Sequence, residues 1–237
     1  MIYFACMNQE IINSTRKKEL AHFTNDFALN AQMGFNTARQ MLLFLALVSQ
    51  TNPLQEDEKM GGIISMDDII RLTRLENAKR SGSIYKEITE FIKDMQKSNY
   101  VEFQTEIIWR GQALPKYITV FDVLEPIKLP TGAIFYRYEF SERMRPHIKG
   151  FLQDFVKLAI PRGMKSGHAI RFLIMAKAHH DRLSAYKKIT KLHIDIETLK
   201  RILGVEGKYK EFKNFRRRVI EPIVTDVNKS GLSLIHI

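Results

Sequence analysis

Helix, strand, helix, helix, strands: this order occurs twice along the 237 residues. It predicts an α+β chain of two tandem winged-helix domains, the second one truncated in its wing. Two similarly ordered units of about 100 residues indicate a duplicated architecture, although few residues are identical between them. Charge divides at the same place. Residues 1–140 hold 16 Lys and Arg against 17 Asp and Glu, whereas residues 141–237 hold 21 against 9. The whole net charge of +11 therefore lies in the second part. We place the domains at 13–146 and 151–237.

In the first domain, Asn36–Ser49 reads as a helix with Asn36 or Thr37 as N-cap and an apolar run, Met41–Val48, that buries nearly every side. A polar, acidic loop spans Gln50–Lys59. Gly61–Met66 reads as a strand, and Asp67 and Asp68 open a second helix carrying Ile69, Ile70, Leu72 and Leu75. A third helix starts near Ser83, with Ile84, Ile88, Phe91, Ile92 and Met95 at helical spacing. After a turn at Ser98-Asn99 the pattern alternates. Tyr100–Trp109, Tyr117–Val123 and Ile134–Phe140 read as strands, with turns at Gly111 and Pro130-Thr131-Gly132.

In the second domain, Phe151–Ile160 reads as a lead-in helix ended by Pro161. Ser166–His180 reads as a helix with an Ile170, Leu173, Ile174 face, and Lys188–Ile194 as a strand. Asp195 caps a helix over Ile196–Leu203 that stops at Gly204, and Lys208–Lys229 reads as one long basic helix. Gly231 breaks it, and Leu232–Ile237 begins a single wing strand that resembles translated adapter sequence. At the other end Met7 reads as the start, with Met1–Cys6 as upstream read-through.

A field of this sign over one half of a chain attracts polyanions, of which nucleic acid is the commonest. The single Cys6 excludes an intrachain disulfide and a cysteine zinc site. No apolar run is long enough to span a bilayer, and no signal peptide is visible, so the chain reads as cytoplasmic. His179 and His180 are adjacent and point apart on a helix, which disfavours a shared metal. Gly204-Val-Glu-Gly207-Lys208 has the wrong glycine spacing for a phosphate loop, and no Ser or Thr follows its Lys. No His-x-His stands with a nucleophilic tyrosine. No catalytic residue, cofactor or metal is therefore expected.

Asp195–Gly204 followed by Lys208 onward forms a helix–turn–helix candidate. On a straight helix Tyr209, Phe212, Phe215, Val219, Ile223 and Val227 share the core face, and Arg216 lies near it. Lys210, Asn214, Arg217 and Glu221 point the other way, flanked by Lys213 and Arg218. A major groove admits one α-helix, in which Arg reads guanine, Asn reads adenine and Lys neutralises phosphate. The candidate DNA contacts are thus Lys208, Lys210, Lys213, Asn214, Arg217 and Arg218. Arg71, Arg74, Lys79 and Arg80 in the first domain form a second cluster.

Five segments carry a resemblance. They are Leu199-Lys-Arg-Ile-Leu-Gly-Val205, Tyr209-Lys-Glu-Phe212-Lys-Asn-Phe215, Arg217-Arg-Val-Ile-Glu-Pro222 with a proline inside a helix, Asp226-Val-Asn228, and Lys165-Ser-Gly-His-Ala-Ile-Arg-Phe-Leu173. Together with Phe140-Ser-Glu-Arg-Met-Arg-Pro146, they resemble the plasmid replication initiator family, the iteron-binding Rep proteins. The resemblance implies two winged helices that bind direct repeats in double-stranded DNA at a plasmid origin and help open it. It also implies a shift between a self-repressing dimer and an initiating monomer, with the first domain supplying the dimer contact; host replication proteins are further expected partners. The alternatives are a tandem winged-helix transcriptional regulator without initiation activity and an RNA-associated basic protein.

Overall fold

The computed structural model describes residues 2–4, 20–51, 60–73, 84–129, 133–148, 155–161, 163–184 and 192–229. Strand β1 is Ile2–Phe4 and β2 is Leu20–Thr24; α1 (Asn25–Asn30) leads into β3 (Ala31–Met33) and α2 (Ala38–Gln50). The first winged helix continues with β4 (Gly61–Ser65), α3 (Met66–Thr73) and α4 (Ile84–Lys97). Strands β5 (Tyr100–Trp109), β6 (Gln112–Thr119), β7 (Phe121–Lys128) and β8 (Ile134–Phe140) follow, then a short helix α5 (Arg145–Ile148). Next come β9 (Phe155–Ala159), α6 (Gly167–Ser184), β10 (Leu192–Ile194) and α7 (Ile196–Ile202). The last helix, α8, runs over 212–229.

The α2–β4–α3–α4–β7–β8 path is the predicted winged helix. Its sheet has the order β4-β8-β7, and a second sheet has the order β3-β5-β6. Thr37 is the N-cap of α2: its hydroxyl accepts from the Gln40 amide at 3.2 Å, and the Gln40 side chain reaches back to the Asn36 and Thr37 amides. As the apolar run requires, every residue from Met41 to Val48 is buried. Phe44 sits among Phe23, Phe27, Phe35 and Phe140 at ring separations of 5.6–6.3 Å. The Tyr138 hydroxyl donates to Leu47 O at 3.3 Å, and burial pushes its pKa far up.

Two sequence expectations are corrected. Tyr117–Val123 is not one strand. The chain breaks at Val120, where Asn99 imitates a paired strand: its Oδ1 accepts from the Phe121 amide at 2.9 Å and its Nδ2 donates to Phe121 O at 2.8 Å. The lead-in helix expected over Phe151–Ile160 is not formed by its described part, residues 155–160, while 151–154 lie outside the described residues. Residues 155–159 form β9, which pairs antiparallel with β2 from Leu20↔Ala159 to Thr24↔Phe155. Val156, Leu158 and Ile160 are buried and Lys157 is exposed, a period of two that was present in the sequence. The pairing joins a strand near the start of the described chain to one more than a hundred residues later.

Ile2–Phe4, read as lying upstream of the true start, pairs with Leu192–Ile194. The proposed turn at 130–132, the acidic loop over 52–59 and the wing strand at 232–237 lie outside the described residues. Among the described residues no helix is long and apolar enough to cross a membrane.

Three histidines are held in the packing. His147 stacks on Phe103 at 4.6 Å, His22 lies in β2, and the Nδ1 of His168 meets Leu203 O at 3.1 Å. Burial lowers all three pKa values, aided by Lys157 at His22 and by Arg171 at His168. Because the unfolded chain binds these protons first, the stability they contribute is complete above about pH 6.5 and is lost as pH falls below it. The urea midpoint should therefore drop between pH 7.5 and 5.5, a range above the carboxylate titrations. The drop should be smaller in His147→Gln; an unchanged midpoint in the wild-type chain over that range would refute the assignment.

Candidate nucleic-acid interface

The helix–turn–helix is built by local rules. Asp195 is the N-cap of α7, accepting from the Thr198 amide at 2.8 Å, which holds its carboxyl below the usual range. The turn bonds Gly204 N to Arg201 O and Val205 N to Lys200 O, both at 2.9 Å, and Gly204 takes φ +68° as a left-handed helix end requires. Gly207 (φ +70°) and Tyr209 (φ +56°) turn the chain again.

The long helix begins later than predicted. Glu211 is its N-cap and Phe212 its first residue, so Lys208 and Lys210 lie in the turn before it. The Glu211 side chain makes no capping bond to the backbone; its Oε2 accepts from Asn214 Nδ2 at 3.0 Å. The first amides of α8 are thus left without a side-chain cap, beside a run of cations.

Within α8, Phe212–Phe215 and Glu221–Lys229 are α-helical, whereas Arg216–Ile220 forms a π turn closed by the Glu221 amide on Arg216 O. The cause is Pro222. It has no amide to give, and its ring would strike the carbonyl four residues back, so the preceding turn widens by one residue. Widening also keeps the core positions together. Phe215, Val219, Ile220, Ile223 and Val227 are all buried, so Ile220 joins the face that a straight α-helix would give to Phe215, Val219, Ile223 and Val227.

The π turn moves Arg216 away from the core, contrary to the sequence reading: its side chain is 62% exposed and its Nε lies 3.4 Å from Glu221 Oε1. Phe212, expected inside, is 48% exposed. Tyr209 is half-buried against Phe215.

Lys208, Lys210, Lys213, Arg217 and Arg218 are all exposed, and among the described residues none of them forms an ion pair. Asn214 is half-buried. Arg217 also lines a shallow depression with Lys165, Ser166, Glu221, Pro222, Thr225 and Asp226. The first-domain cluster is less available. Arg71 pairs with Asp68 at 2.8 Å, while Arg74, Lys79 and Arg80 lie outside the described residues. Helix α4 shows mixed charge, with Lys97 bonded to Asp94 at 2.8 Å.

Several motif residues prove to be internal fasteners. Arg171, 4% exposed, donates from Nη1 to Leu203 O at 2.9 Å, and from Nη2 to Phe35 O at 2.6 Å, Asn36 Oδ1 at 3.2 Å and Met33 O. Burial pushes its pKa down to about 10, so it stays charged at neutral pH. The Asp226 carboxylate accepts from the Lys165 and Ser166 amides at 2.9 and 2.7 Å, which caps α6 from α8.

Comparison with known families gives two matches. Residues 21–177 match the family described as Initiator Replication protein, WH1, and residues 195–236 match Initiator Rep protein, WH2. No curated protein matches the chain.

The two turn glycines separate strain from clash. Gly207→Ala meets open space and should cost only the left-handed strain, about 1–2 kcal/mol. A Cβ at Gly204 would lie 2.3 Å from Arg171 Nη1 and 3.4 Å from Gln32 Nε2, so Gly204→Ala should cost more. Thermal denaturation of the two variants checks the order; equal losses would mean that the Arg171 contact yields without penalty.

Proposed function

The chain belongs to the plasmid replication initiator family, with both of its winged-helix domains, and on that premise we propose that it binds direct repeats in double-stranded DNA at a plasmid origin and helps open the adjoining duplex. The observation that carries this reading is the group Lys208, Lys210, Lys213, Arg217 and Arg218, exposed on the helix–turn–helix without ion pairs among the described residues. Such cations serve phosphate contacts, while Arg217, turned away from the core, is placed to reach a base edge. The same binding at its own promoter would repress its gene. The family match favours initiation over a regulator without that activity. The chain acts by binding in the cytoplasm, with no cofactor, and host replication proteins join it at the origin.

Self-association fits the first domain. Its β5–β6 hairpin turns at Arg110 (φ +49°) and Gly111 (φ +79°) and presents Ile107, Ile108 and Trp109 at 65%, 70% and 59% exposure. Strand β6 is the edge of its sheet. A second copy is the occupant that suits it: an edge strand pairs with its own equivalent about a twofold axis, and domains of nearly zero net charge do not repel one another.

Two measurements test this function. If about 6–10 phosphates are contacted, duplex affinity should fall by roughly 10³–10⁵ between 50 and 200 mM salt. Arg217→Ala should then lose about 1–3 kcal/mol of discrimination between specific and scrambled duplex, whereas Lys210→Ala weakens both alike. Salt-independent affinity, or equal losses at Arg217, would refute the basic surface or the recognition face respectively. For self-association, Ile108→Asp should weaken the dimer at least tenfold by sedimentation equilibrium, with duplex affinity of the monomer unchanged; an unaltered dimer would place the interface elsewhere.

A further inference from the structure

We infer that Arg171 is a positioning residue that makes the two winged helices grip DNA as one rigid unit, its guanidinium fastening the helix–turn–helix of the second domain onto the first. The inference rests on the DNA-binding reading above and adds a coupling between the two domains that this reading does not require.

Arg171 lies on α6, and its bonds go in two directions. Nη1 holds Leu203 O, the carbonyl at the end of α7 where the turn toward α8 begins. Nη2 holds Met33 O, Phe35 O and Asn36 Oδ1, in the segment between β3 and the N-terminus of α2. One planar group therefore spans the end of one domain's α7 and the start of the other domain's α2. The packing leaves no slack around it. A Cβ on Gly204 would strike Nη1, and one on Gly167 would lie 2.6 Å from Asn36 O. The opposite end of the helix–turn–helix is fixed as well, by Asp226 on the Lys165 and Ser166 amides.

Stability alone is a poor reason for this arrangement. The guanidinium is buried, its acceptors are backbone carbonyls and one amide oxygen, and its Nε has no partner among the described residues. An apolar side chain of similar volume would avoid the cost of removing the charge from water. A flat fork of donors supplies direction instead: one rigid group bonds acceptors on both domains, which ties their relative orientation to it.

The test uses the full chain and a duplex selected by the wild-type protein from a randomised pool of roughly 30 base pairs. That duplex is then truncated to the half protected by α8. Binding of wild type, Arg171→Met and Asn36→Ala to both duplexes is measured by fluorescence anisotropy, with hydroxyl-radical footprints and melting curves. Asn36→Ala removes a first-domain acceptor without touching the second domain, so it remains informative if Arg171→Met fails to fold. Arg171→Met should bind the full duplex about tenfold more weakly, a loss of about 1.4 kcal/mol, yet bind the truncated one within twofold of wild type. Asn36→Ala should shift the same way by a smaller factor. The footprint of both variants should shrink toward the α8 half. Equal loss on both duplexes, or no loss on either, overturns the positioning role while leaving DNA binding intact. Failure of the pool to yield any preferred duplex overturns the DNA reading itself, and the inference with it.

Discussion

A buried cation with carbonyl partners on both domains is the constraint around which this molecule is arranged. Arg171 cannot shed its proton at neutral pH and is almost wholly removed from water, so the surrounding backbone must present oxygens to it. Met33, Phe35, Asn36 and Leu203 do so from two domains. Each of those segments is in turn held by something else: β3 by pairing with β5, the start of α2 by its capping box, and the end of α7 by the turn at Gly204. Moving one of them leaves a charged donor unmet, which costs more than a lost neutral hydrogen bond.

The same economy runs through the motifs. Ser166 caps α6, Asp226 reaches across from α8 to the same helix end, Gly204 makes room for Arg171, and Pro222 widens the turn before it. These residues build the frame. The candidate cations lie on the outside of that frame, exposed and, among the described residues, without ion pairs. Resemblance carried by Lys165-Ser166 and Arg171 therefore reports architecture first, and DNA contact only through the surface the architecture displays. The π turn shows the two linked: one missing amide at Pro222 rotates Arg216 from the core side to the outside.

The main helices and the domain order were legible in the sequence because they rest on local chemistry. An apolar run long enough to bury every side of α2, Thr37 and Asp195 as caps, and Gly204 as a left-handed stop all act within a few residues. The uneven charge was legible for the same reason, since composition needs no geometry. Tertiary structure decided the rest. Whether 155–159 becomes a strand depends on β2, more than a hundred residues away. The break at Val120 depends on the Asn99 amide, and the burial of Arg171 on carbonyls from distant segments. The phase of α8 beyond Arg216 depends on a proline that a regular wheel does not register. Periodicity reports which face of an element is apolar; only the partner that covers that face decides which residues are left for DNA.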